Sequence, residues 1–247
     1  MLNIKQAMCF VLLFGSLAQG APSPRSMGMM GHNFTPTSYT LKEKQWVAGS
    51  YVVGYGITEN LSILTSPWFI LSYNMPNLVL KYGTKIGETW QWSTDVGYFK
   101  TFSYLANHYK QESPMLRLTF TKNFNAIYSL HMNAVGFYFV DDTRPFSFRL
   151  NPRMKTDYMI GVGSLLEMHL SESFGAMLEF GFLGINYLNS YMHTGMSVFW
   201  KWQAGYLLAG MSQDITIYPV EYRSTDSFVE HRLEYMPHPE IQLQFYF

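Results

Sequence analysis

Apolar and polar residues alternate with a period of two along most of the chain. From Asn77 to Ile86, Leu78, Leu80, Tyr82, Thr84 and Ile86 share one face, and Asn77, Val79, Lys81, Gly83 and Lys85 the other. The next segment sets Trp90, Trp92, Thr94, Val96 and Tyr98 against Gln91, Ser93, Asp95 and Gly97. Such alternation marks half-buried β-strands. Applied throughout, it predicts twelve: Thr35–Leu41, Trp46–Tyr55, Leu61–Thr65, Asn77–Ile86, Thr89–Phe99, Met115–Thr121, Ala126–Val140, Met154–Leu170, Phe174–Gly184, His193–Trp200, Gln203–Ile217 and Glu240–Phe247. Their connections alternate in length. Short turns fall at Gly56–Asn60, Gly87-Glu88, Asn123-Phe124, Ser171–Ser173 and Lys201-Trp202, and long links at Ser66–Pro76, Lys100–Pro114, Asp141–Arg153, Ile185–Met192 and Pro219–Asp226. Turns gathered at one end and loops at the other suit a transmembrane β-barrel better than a sandwich.

Composition agrees with that preference. Only 14% of residues are charged while 17% are aromatic, against roughly 25% charged in ordinary soluble domains. Beyond residue 21 no apolar run approaches the ~20 residues of a helical membrane span. An N-terminal export signal is expected over residues 1–20, with Lys5 as its positive start, Ala7–Leu17 as its apolar stretch, and small residues around Gly20 and Ala21 for cleavage. Residues 21–34, rich in Met and Gly, are expected to form a flexible tail ahead of a barrel spanning 35–247. The single cysteine, Cys9, lies within the signal, so the remaining chain has no disulfide to draw on. Loss of Lys5 leaves 16 basic and 17 acidic side chains, a net charge of −1, and no basic footprint for nucleic acid.

In the last stretch Ile241, Leu243, Phe245 and Phe247 share one face, with Gln242, Gln244 and Tyr246 on the other. This pattern resembles the bacterial outer-membrane β-barrel class, and Tyr55–Leu61 resembles a periplasmic turn common in such proteins. The resemblance implies an all-β, closed antiparallel transmembrane barrel of about twelve strands in the bacterial outer membrane. It also implies partners: outer-membrane lipid, and the barrel assembly machinery with Leu243, Phe245 and Phe247 as its recognition signal. It implies no particular activity.

Alternation places Lys81, Lys85, Asp95, Arg117, His131, Asn133, Asp157, Glu167, His169 and Glu179 on the lumen face. Pairing strands across the short turns is expected to bring Lys81 near Asp95, Arg117 near His131, and Glu167 near Glu179. Such groups either fill a narrow barrel as a structural network or line a solute path. Catalysis has weaker support. His169-Leu170-Ser171 offers a base near a hydroxyl, His193-Thr194-Gly195 lacks the serine, and Asp141-Asp142 reads as a solvated loop pair. His231 and His238 show no ligand spacing, and no phosphate-binding glycine loop opens a helix. No cofactor, metal or catalytic residue is therefore expected. The aromatic stretches Pro67–Leu71 and Pro145–Phe148 either cap the barrel or bind a partner. The functional expectation is a narrow pore for passive passage of a small solute. A non-conducting structural or surface-interaction barrel with a plugged lumen is the alternative, and an outer-membrane hydrolase the third reading.

Overall fold

The computed structural model describes residues 36–100, 112–138, 158–185, 191–221 and 229–247. Twelve antiparallel strands pair in chain order and close into a barrel. They are β1 (Trp46–Gly49), β2 (Val53–Gly56), β3 (Leu61–Thr65), β4 (Asn77–Ile86), β5 (Trp90–Lys100), β6 (Glu112–Asn123), β7 (Tyr128–Tyr138), β8 (Tyr158–His169), β9 (Phe174–Leu183), β10 (Tyr191–Trp202), β11 (Gly205–Glu221) and β12 (Val229–Tyr246). One short helix, α1 (Pro67–Tyr73), follows β3. The expected signal, tail and Thr35 lie outside the described residues, as do Asp141, Asp142 and Asp157.

The periodicity becomes a wall with two faces. Along β4, residues 77, 79, 81 and 83 are buried while Leu78, Leu80 and Tyr82 are exposed. The short turns are held by their own side chains. Asn125 Oδ1 accepts from the N–H groups of Ile127 and Tyr128 at 2.7 and 2.8 Å. Ser171 Oγ accepts from Phe174 N at 3.0 Å, and Thr58 Oγ1 from Leu61 N at 3.1 Å. These are the Asx- and Ser/Thr-type bonds that favour tight reversals. Gly87 turns with a φ of 71°, a value that glycine reaches without strain.

Although the strand number is twelve, its members differ from the expectation at the N-terminal side. The described part of Thr35–Leu41 is not a strand. The twelfth strand arises because Trp46–Tyr55 breaks at Ser50–Val52 into β1 and β2, which pair with each other through Val47↔Gly54. Residues 36–45 instead run into the barrel as a strap. Ser66–Pro76, expected as a loop, contains α1. Its start is tied to β4 by Asn77, whose Oδ1 accepts from Ser66 N at 2.8 Å and whose Nδ2 donates to Ser66 O at 3.1 Å. At the other end of the chain, β12 begins eleven residues before Glu240, at Val229, and pairs with β11 without a break from Glu221↔Val229 to Gly205↔Phe245.

The interior has two chemical characters. Val79, Phe99, Met115, Val135 and Met159 are buried toward the loop end of β4–β8. Toward the turn end and around β9–β12, hydrogen-bonded polar and charged side chains dominate the buried face. Apolar groups pack by excluding water, whereas buried charges require partners. Leu165, Met177, Phe199, Tyr206 and Leu208 pack among the polar groups of β8–β11 and join the same apolar cluster.

Candidate functional site

The strap lies along the inner wall toward its turn end and is fastened to several strands. Lys81 Nζ donates to the carbonyl of Thr37. Ser38 Oγ donates to Thr121 Oγ1 at 2.6 Å, and the Ser38 carbonyl accepts from Gln91 Nε2 at 3.2 Å. The Tyr39 hydroxyl reaches Asn123 Oδ1 at 3.2 Å, and its ring meets the edge of His131 at 5.6 Å. Leu41 N donates to Ser62 Oγ at 3.0 Å. Glycines on the wall make room. A Cβ at Gly83 would stand 3.0 Å from the Ser38 carbonyl, and one at Gly56 would collide with the carbonyl of Lys42. The strap is therefore seated against a wall shaped to receive it.

Beside it, three side chains on adjacent strands form a buried ionic cluster. Asp95 stands opposite Lys81 in the β4–β5 ladder and opposite Arg117 in the β5–β6 ladder. Its carboxylate accepts from Arg117 Nε at 3.0 Å and lies 4.0 Å from Lys81 Nζ. Asp95 and Lys81 are almost wholly buried, and Arg117 is 15% exposed. Lys85, on the same face but at the turn end, is exposed.

A second network continues from the strap. Thr121 Oγ1 bonds His131 Nδ1 at 2.7 Å, and His131 Nε2 bonds Glu167 at 3.0 Å. The other Glu167 oxygen meets His169 Nε2 at 2.7 Å, and His169 Nδ1 meets Lys201 Nζ at 2.9 Å. A third group lies farther round the wall. His193 sits between Glu179 at 3.1 Å and Asp214 at 2.6 Å, with His238 3.5 Å from the second Asp214 oxygen. Ser212 and Gln242 both donate to Glu240, at 2.9 and 2.7 Å.

Two expected pairs do not form. Arg117 faces Val135, and His131 faces Thr121. Glu179 faces Leu165, and Glu167 faces Met177. The slips are of even numbers of residues, so each side chain keeps its face but changes its neighbour. Glu167 and Glu179 consequently belong to separate networks, each next to histidine. Alternation did not single out His193, Asp214 or Glu240, although each occupies an inward position of a strand legible in the sequence. Lys201 and Trp202, expected as a turn, instead pair with Tyr206 and Gly205 at the end of β10, where Lys201 is buried on the inner face. The strap reads as a strand in the sequence because Thr35–Leu41 alternates as a strand does, and alternation cannot tell a strand of the wall from a segment lying against its inner face.

The hydrolase geometry is not assembled. His169 is engaged by Glu167 and Lys201, whereas the Ser171 hydroxyl holds the turn. Among the described residues no set of His, Cys, Asp or Glu is arranged to hold a metal ion. Leu243, Phe245 and Phe247 lie on the partly exposed outer side of β12, and Phe245 packs edge-on against Trp202 at 5.9 Å. Phe247 also closes the seam with β1, donating its N–H to Trp46 O at 3.0 Å and accepting from Trp46 N at 3.1 Å. In comparisons with protein families, characterised proteins and solved structures, the chain matches none.

Proposed function

We propose that the protein is a bacterial outer-membrane barrel whose lumen is closed by its own N-terminal strap, so that it does not act as an open pore. Support for the membrane setting comes from the outer face. Leu80, Val96, Leu116, Val162, Val198 and similar residues are exposed there in a continuous band. Trp46, Trp90 and Trp200 lie near the turn end of that band, and Tyr98, Tyr138 and Tyr158 near the loop end. An apolar belt of this size is costly in water, and aromatic girdles at both margins are the pattern of barrels in bilayers. Residues 1–20 would direct export, the turn end would face the periplasm, and Leu243, Phe245 and Phe247 would engage the assembly machinery.

The closed state rests on one observation above all, the seating of Thr37–Leu41 against β3, β4, β5 and β6. Planar-bilayer recording tests it. The intact protein should insert without conductance steps, and a variant lacking residues 36–41 should show them. Stable steps from the intact protein would refute the closed barrel and favour the second reading, a narrow pore for a small solute. That reading draws its support from the opposite charges of Asp95 and Arg117 on the inner wall.

A further inference from the structure

The strap begins inside the barrel. Pro36, Thr37 and Ser38 are buried, and Lys81 on the inner wall donates to the Thr37 carbonyl. Consecutive Cα atoms are about 3.8 Å apart, so the residues that lead into Pro36 have to reach it within the lumen. Residues 21–35 contain Arg25 and His32 and no Asp or Glu. The lumen therefore receives a segment of positive charge.

The inner wall differs in sign from one side to the other. On β4–β6, Lys81, Lys85 and Arg117 outnumber Asp95. On β8–β12 the buried face carries the carboxylates of Glu167, Glu179, Asp214 and Glu240, against the one buried ammonium of Lys201 among the described residues. His169, His193 and His238 stand among them. Asp214 and Glu240 lie on adjacent strands, linked by Ser212, which stands opposite His238 in the ladder and donates to Glu240. In a poorly hydrated space unlike charges attract strongly and like charges repel. A guanidinium entering the lumen is thus favoured on β8–β12 and opposed on β4–β6.

That side also presents backbone where a chain could lie. Gly163 and Gly181 face one another in the β8–β9 ladder, both are buried, and Gly181 stands opposite His193. Where the strap crosses β4, the wall likewise turns a glycine, Gly83, toward the Ser38 carbonyl. Twelve strands about 4.8 Å apart, tilted by about 40°, close to a barrel about 24 Å across. Arg25 precedes Pro36 by eleven residues, which extend to about 36–40 Å. Arg25 can therefore stand at Asp214 and Glu240.

We propose that the inner face of β8–β12 is the docking surface of residues 21–35, with the Arg25 guanidinium held by the Asp214 and Glu240 carboxylates and the backbone crossing the Gly163–Gly181 floor. This rests on the closed-barrel reading above. Cysteine pairs test it in the full-length protein carrying Cys9→Ser, oxidised with copper phenanthroline in detergent micelles, with cross-links located by peptide mass mapping. Ser38→Cys with Thr121→Cys reports the strap, whose two hydroxyls are 2.6 Å apart. Ser26→Cys with Ser212→Cys reports the docking and leaves Arg25 and Glu240 in place. Both pairs should cross-link within one chain. Adding Arg25→Gln should lower the Ser26–Ser212 yield several-fold and leave the Ser38–Thr121 yield unchanged. A Ser38–Thr121 bond with Ser26–Ser212 at background would overturn the docking while the closed barrel stands. A Ser26–Ser212 bond between two chains would give the wall to a second copy, and one indifferent to Arg25→Gln would remove the charge that selects the surface; either overturns the proposal. Background levels at both pairs would overturn the closed barrel and the docking together.

Discussion

Asp95 is the position at which removal of one charge should cost most. It lies on the middle of three adjacent strands, 3.0 Å from Arg117 and 4.0 Å from Lys81, and is fully buried. At an effective dielectric constant of about 20, unit charges 4 Å apart attract by about 4 kcal/mol. Desolvation of the three groups offsets much of that gain, at several kcal/mol per ion. Asp95→Asn retains the shape but leaves Lys81 and Arg117 facing one another without their shared anion, which should destabilise the barrel by about 3–5 kcal/mol. Lys81→Met should cost less, about 1–3 kcal/mol, because Asp95 keeps Arg117 and the main further loss is the bond to Thr37. The double variant should be more stable than the sum of the single effects by about 1–2 kcal/mol. Equilibrium urea titration in detergent micelles, followed by tryptophan fluorescence, measures all three. Additivity within about 0.5 kcal/mol would show that Lys81 and Asp95 do not interact, and would refute the ionic cluster.

The remaining tests probe facing, the strap and the seam. Leu80→Arg places a cation on the outer face and should cost about 2–4 kcal/mol in lipid vesicles; an unchanged midpoint would be incompatible with a lipid-facing Leu80. Gly83→Val should crowd the Ser38 carbonyl and loosen the strap, seen as new conductance steps or as faster proteolysis within residues 36–45, with neither change arguing against a seated strap. Glu167→Leu should lower stability by about 3–5 kcal/mol, since it strips His131 and His169 of their common partner; melting followed by circular dichroism reads the loss, and an unaltered melting temperature would count against the network. Removal of Phe247 deletes both seam bonds to Trp46 and should slow insertion into the outer membrane, which surface biotinylation in cells would quantify, with normal surface levels speaking against a role in assembly.

Alternation alone determined which residues of β4–β9 face inward, because successive side chains in a strand must point to opposite sides. That constraint is local and survives any choice of partner. Lys81, Asp95, Arg117, His131, Glu167 and Glu179 could thus be put on one face before any strand was paired. Their neighbours could not. Register depends on how each turn reverses the chain, and a shift by an even number of residues preserves facing while changing every contact. This is why Glu167 meets two histidines instead of Glu179. Tertiary structure also decided the fate of the N-terminal segment. Thr37, Tyr39 and Leu41 alternate with Ser38 and Thr40 as in a strand, yet their hydrogen-bonding groups find Thr121, Gln91, Lys81 and Ser62 across the lumen. Only the closed wall creates that surface.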